Sequence, residues 1–147
     1  MQDFSFLTCF LLLYLSLVTD SIIFRDCGSQ DVSVIALDLY PCESEPCVLV
    51  RKKNVDIEIQ FITFTHAEGH KIHLSSSHGP QVLKLPQNDV CAQVTPSCPI
   101  EKGKIYTLRY RVMVAKNSPL GPLAVRLELV HKSGGKFMCI EIPVKVV

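Results

Sequence analysis

This sequence of 147 residues contains no tryptophan. That absence removes the mark of the common antibody-type sandwich, in which a buried tryptophan packs on a disulfide joining two sheets. No apolar run reaches the ~20 residues needed to cross a bilayer; the longest, FSFLTCFLLLYLSLV from Phe4 to Val18, has 15. Charge of one sign is missing too, with 15 basic against 14 acidic residues and a net charge of +1. The only basic cluster, VRKKN, lacks interleaved aromatics, so no nucleic-acid partner is expected. Arg51, Lys52 and Lys53 read instead as a solvated turn. There is no G-x-S-x-G elbow, H-E-x-x-H helix or Gly-rich phosphate loop, so no catalytic residues, cofactor or enzyme activity are expected. Asn117 is followed by Ser118 and Pro119, so no N-glycosylation acceptor is present. No segment shows a helical stripe of useful length.

What is present begins with the N-terminal apolar run. It is followed by TDS, small residues suited to signal peptidase, and is too short for a span, so residues 1–21 read as a signal peptide cut near 19–21. The basic residues expected ahead of such a run are absent, since the first is Arg25. Removal of Asp3 and Asp20 leaves 12 acidic residues and raises the net charge from +1 to +3. Residues 22–147 then form one domain, long enough to bury a core.

The leader also carries away Cys9, leaving Cys27, Cys42, Cys47, Cys91, Cys98 and Cys139. An even number in an oxidising compartment predicts three disulfides, with 15 pairings possible in principle. Cys42 with Cys47 and Cys91 with Cys98 can close locally across proline-containing loops, which leaves Cys27 for Cys139. That last bridge closes nearly the whole mature chain and stabilises by up to ~5 kcal/mol in the chain-entropy model. Zinc needs Cys-x(2–4)-Cys knuckles on both sides; the gaps here are four and six, so no metal is expected.

Periodicity supplies the fold. Val55, Ile57, Ile59 and Phe61 alternate with Asp56, Glu58 and Gln60, the period of 2 of a half-buried strand. Tyr106, Leu108, Tyr110, Val112 and Val114 share one face; so do Leu123, Val125, Leu127 and Leu129, and Ile140, Ile142, Val144 and Val146. Shorter strands are predicted at VSVIALDL, KIHLS and QVLKL, with turns at YPCESEPC, AEGH, SSHGP, NSPLGP and KSGG, the last suited to a hairpin. About seven short strands predict an all-β protein, an antiparallel sandwich of two sheets. Pro143 predicts an edge position or a bulge in the last strand.

The segments FRDCGS, PCESEPCVLVRKKNVDIEIQF, CPIEKGKIYTLRY and CIEIPVKVV, with all six cysteines, resemble the ML lipid-recognition family, in its Niemann-Pick type C-two or epididymal secretory branch. The resemblance covers the mature chain and implies an immunoglobulin-like sandwich whose sheets stand slightly apart around an apolar cavity, with the same disulfide pairing. It implies a cavity wall at Leu83, Leu85, Val112, Val114, Pro119, Leu123, Val125, Leu127 and Ile140. Patterning alone favours an ordinary filled core, since alternation does not distinguish one from a cavity, and only the resemblance points to the cavity. Vertebrate-type members tend to carry aromatics where this chain has Ser118, Leu127 and Ile140, which implies a pocket that is wider or favours acyl chains over a fused sterol.

The function implied is that of a lipid carrier, secreted or lysosomal, which holds a sterol or similar lipid between its sheets and passes it to membranes or a receptor. Its expected partners are the lipid, an anionic membrane surface touched transiently, and a membrane sterol transporter or receptor, the protein itself being a monomer. The alternatives are an accessory protein presenting a bound lipid to an immune receptor, and an adhesion module with a solid core. His66, His70, His73 and His78 fall in HAEGHKIHLSSSH, where Gly69 and the strand pattern break any shared helical face. They read as a solvated hairpin first, a pH-responsive surface second and a metal site last.

Overall fold

The computed structural model describes residues 22–67, 71–77, 83–84 and 88–147. The leader therefore lies outside the described residues, as do His70, His78 and Leu85. Ten strands occur among the described residues: β1 (Arg25–Asp26), β2 (Val32–Tyr40), β3 (Cys47–Leu49), β4 (Asn54–Thr63), β5 (Lys71–Ser76), β6 (Leu83–Lys84), β7 (Val94–Thr95), β8 (Ile105–Val114), β9 (Gly121–Val130) and β10 (Lys136–Val146). They form two five-stranded sheets. One runs β5-β9-β10, with β1 and β3 sharing the far edge of β10; the other runs β2-β4-β8, with β6 and β7 sharing the far edge of β8. All pairings are antiparallel except β3 with β10.

Alternation is the cause of the layering. In β4, β8, β9 and β10 the apolar partner of each polar–apolar step turns inward, and every inward residue named from the pattern is buried. The outer faces carry charge. Asp56 meets Arg111 and Glu58 meets Arg109, both at 2.8 Å, across β4 and β8. On the other sheet Arg25 and Arg126 both reach Glu141, while Arg126 and Lys136 reach Glu128. Charged side chains on these faces keep both sheets wet outside and apolar inside.

β1, β3 and β7 go beyond the strands read from sequence. At two or three residues they have no periodicity of their own and exist through the edges that receive them. Pro143 is the instructive case. β10 is flanked on both sides, so it is not an edge strand, and its bulge falls between Lys136 and Met138. Cys139 turns both its N–H and its carbonyl toward the β1 side, so the period of 2 turns the Pro143 nitrogen the same way. There β1 has ended at Glu141 and β3 begins at Val144, and the missing N–H costs no ladder bond.

The β9–β10 hairpin closes through His131 N–H to the Gly135 carbonyl at 2.7 Å, with Gly134 at φ 99°, a conformation that suits glycine. Disulfides join Cys27 to Cys139, Cys42 to Cys47 and Cys91 to Cys98. The long-range bridge lies within one sheet, linking the residue after β1 to β10. The Cys42–Cys47 bridge joins the segment just after β2, in one sheet, to β3, in the other.

Candidate functional site

The interior between the sheets differs from end to end. At the end where β4 finishes and β8 starts, Phe61 stacks on Tyr106 with centroids 5.9 Å apart. The Tyr106 hydroxyl accepts from the Glu101 N–H at 2.7 Å and donates to the Pro99 carbonyl at 3.2 Å. Thr63 Oγ1 donates to the Glu101 carbonyl, and the Gly103 N–H to the Thr63 carbonyl at 2.8 Å. These bonds fix the loop bearing the Cys91–Cys98 bridge over the aromatic pair. Farther along, burial raises the Tyr110 phenol far above its ordinary pKa, with the Asp89 charge adding to it, so this inward hydroxyl stays neutral.

Toward the other end, past Tyr110 opposite Ile57, the space between the sheets has no ring in its lining. A void of about 10 Å³ lies between the sheets, lined by Leu39, Leu49, Val55, Ile57, Val112, Val125, Ile142 and Val144. That is room for about one water, and a void with only aliphatic walls offers water no hydrogen bonds. β2, β3, β4, β8, β9 and β10 each contribute to its wall, so both sheets face it.

The expected wall and the observed one overlap at Val112 and Val125. Val114, Leu123, Leu127 and Ile140 are buried on the same inner faces without bordering the void. Pro119 is half-buried in the link from β8 to β9. Leu83 lies in β6, opposite Val114. Val55, Ile57, Ile142 and Val144 were visible as inward positions in the alternation, but a pattern gives the face and not the distance along the sandwich. Leu39 and Leu49 had weaker signals, β3 being short and β2 irregular at Ile35.

Three fully described links between β-strands cross from one sheet to the other at this end: β2 to β3, β3 to β4 and β8 to β9. The basic cluster belongs to one of them and is only in part the solvated turn its composition predicts. Lys52 and Lys53 are exposed, yet Arg51 is half-buried and donates to the Ser118 carbonyl through Nε at 2.7 Å and also through Nη2. His66 and His73 are exposed, with His73 opposite Glu128. Among the described residues no group of His, Cys, Asp or Glu could hold a metal ion.

A family model described as the ML domain matches residues 21–146. The chain belongs to the ML-domain family. The bovine protein named NPC intracellular cholesterol transporter 2 (Bos taurus) is 29% identical to this ML domain over 139 residues, 93% of each chain. The mite group 2 allergen Der f 2 of Dermatophagoides farinae is 27% identical over 128 residues, 86% of each. The crystal structure of a Niemann-Pick type C2 protein from the Japanese carpenter ant superposes with a TM-score of 0.72 at 19% identity, over 86% of this chain and all of that one. That likeness concerns the fold. The ML domain is a lipid-binding fold, and its members here are not enzymes.

Proposed function

We propose that this ML domain is a lipid carrier: it takes up a sterol-like or acyl lipid between its sheets at the ringless end and releases it to a membrane or a receptor. The observation that carries the reading is the void whose eight lining side chains are all aliphatic and come from both sheets. A lipid there would bury apolar surface at about 25 cal/mol per Å² without stranding a polar group. The bovine relative's name refers to cholesterol transport, which supports the class of cargo. A ligand pocket needs about 300–1,000 Å³, far more than the void offers, so uptake has to part the sheets. Nothing in the lining offers a flat ring for a sterol to stack on, which leaves acyl chains an equal claim.

Carriage needs no covalent chemistry. It needs a route through the secretory pathway, which the leader at residues 1–21 would give, and brief contact with a donor or acceptor surface. We place the protein outside the cell or in the endosome–lysosome lumen, working as a monomer that touches anionic membranes transiently. The test offers delipidated protein a fluorescent sterol and a fluorescent fatty acid, then measures transfer between vesicles. Saturable uptake of either probe, followed by transfer, is the expected result. No saturable uptake of either would mean a solid core and end the proposal.

A further inference from the structure

We propose that Arg51 is a latch: its guanidinium holds the Ala115–Leu120 link closed over the end of the empty pocket, and lipid uptake requires that hold to be released. The inference rests on the carrier reading for its consequence, although the latch itself is a property of the empty protein.

The argument starts from the turn that Arg51 occupies. Its backbone is tied to both sheets: Arg51 N–H donates to the carbonyl of Val147 beyond β10 at 3.1 Å, and Lys52 N–H to the carbonyl of Val114 on β8 at 2.8 Å. Lys52 takes φ 66°, a left-handed conformation uncommon for a side chain of its kind, so the turn is held by its surroundings. It is a fixed post standing between the sheets. The Ala115–Leu120 link is secured differently. It carries one internal backbone bond, Ser118 N–H to the Ala115 carbonyl at 3.1 Å, and it enters β9 through Gly121 at φ 99°. A Cβ there would meet nothing within 4 Å, so glycine is required by conformation and not by crowding, as at a pivot.

Between post and link stands the guanidinium, donating twice to the Ser118 carbonyl. Leu120 is 62% exposed, yet Ser118 is 1% exposed. The link turns inward at Ser118, the residue whose carbonyl Arg51 grips. Both strands that the link joins, β8 and β9, supply walls of the void through Val112 and Val125. Parting the sheets separates the two ends of the link, and a link pinned at Ser118 resists it.

If the hold stabilises the closed empty form over the open one, losing it raises the fraction of protein competent to bind, and the apparent Kd falls by the same factor. A purely structural arginine would do the opposite, weakening fold and binding together. The test uses Arg51→Gln and Arg51→Lys. In the empty protein, hydrogen exchange over Ala115–Gly121 should quicken about five- to tenfold in Arg51→Gln, the worth of one partly exposed charge-assisted hydrogen bond, while β4 and β10 stay protected. Fluorescent sterol or fatty acid should then associate faster and bind more tightly by a similar factor, with Arg51→Lys between the two. Unchanged exchange in the link overturns the latch, as does faster exchange with weaker binding. Wild-type protein that takes up neither probe would refute carriage, while the exchange result would still decide whether Arg51 holds the link.

Discussion

At one end of the sandwich a stacked pair, Phe61 on Tyr106, fills the space between the sheets, and the Tyr106 hydroxyl is bonded on both its donor and acceptor sides. At the other, eight Val, Leu and Ile side chains meet around a void. The same alternation of apolar and polar residues built both ends, so the difference lies in residue type and not in pattern. Rings with hydrogen-bonded tips define one position and resist rearrangement. Aliphatic side chains on two facing sheets make contacts that can be exchanged, methyl for methyl, with an inserted lipid chain. On the proposed carrier reading, the first end is the anchor and the second the container.

The strongest way to break this comparison is to put charge in the container. Val125→Asp, at a position 2% exposed, sets a carboxylate among alkyl groups at a cost of several kcal/mol. Lipid binding should be abolished, and normal secretion with unchanged affinity would refute the assignment of the pocket. A ring at the wrong end asks the question more gently. Val112→Phe overpacks the void at about 1–3 kcal/mol and should cut lipid affinity at least about tenfold, giving the container the filled character of the anchor. Equal affinity in a titration with the fluorescent probe would mean that lipid sits elsewhere.

Altering the anchor should give the converse result. Tyr106→Phe leaves the Glu101 N–H and the Pro99 carbonyl without their partner and should cost about 1–3 kcal/mol of stability, read as a lower urea midpoint, with lipid affinity unchanged. A matching loss of affinity would show that the two ends do not act separately.

The smallest effect belongs to the outer faces. Hydrogen bonds from Arg25 and then Arg126 hold Glu141 below its ordinary pKa of 4.5, and Arg111 holds Asp56 below 3.8. A depressed carboxylate adds stability that is complete above its unfolded pKa and is lost as pH falls through the folded value. This contribution therefore survives acidification to about pH 5 and fades below about 4.5. Glu141→Gln should make the acid limb of urea stability shallower and leave lipid uptake at pH 7 and pH 5 alone. An acid limb of unchanged slope would remove Glu141 from the account.

Much of this architecture was legible in the sequence because β4, β8, β9 and β10 are each ten or eleven residues long, enough for a period of 2 to stand out. β1, β3 and β7 were not legible, since pairing with a distant edge decides them. Pro143 was read as marking an edge strand or a bulge and is at neither; a split edge on an interior strand is a third solution that only the topology supplies. The pocket was legible as a face and not as a place. Ile59 and Phe61 follow Val55 and Ile57 on one strand with the same spacing, yet only the first pair in sequence, Val55 and Ile57, borders the void. Arg51 was hidden for a related reason. Within VRKKN nothing separates it from Lys52 and Lys53, and its partner lies 67 residues away.

The central claim, that lipid enters between the sheets at the ringless end, is tested most directly by solving the structure of the delipidated protein reloaded with a sterol and, separately, with a fatty acid. The account predicts ligand density bounded by Leu39, Val55, Val112, Val125 and Val144, with the two sheets farther apart there and the Phe61–Tyr106 stack unmoved. Density on an outer face, or density that displaces the stack while the void stays closed, would contradict it.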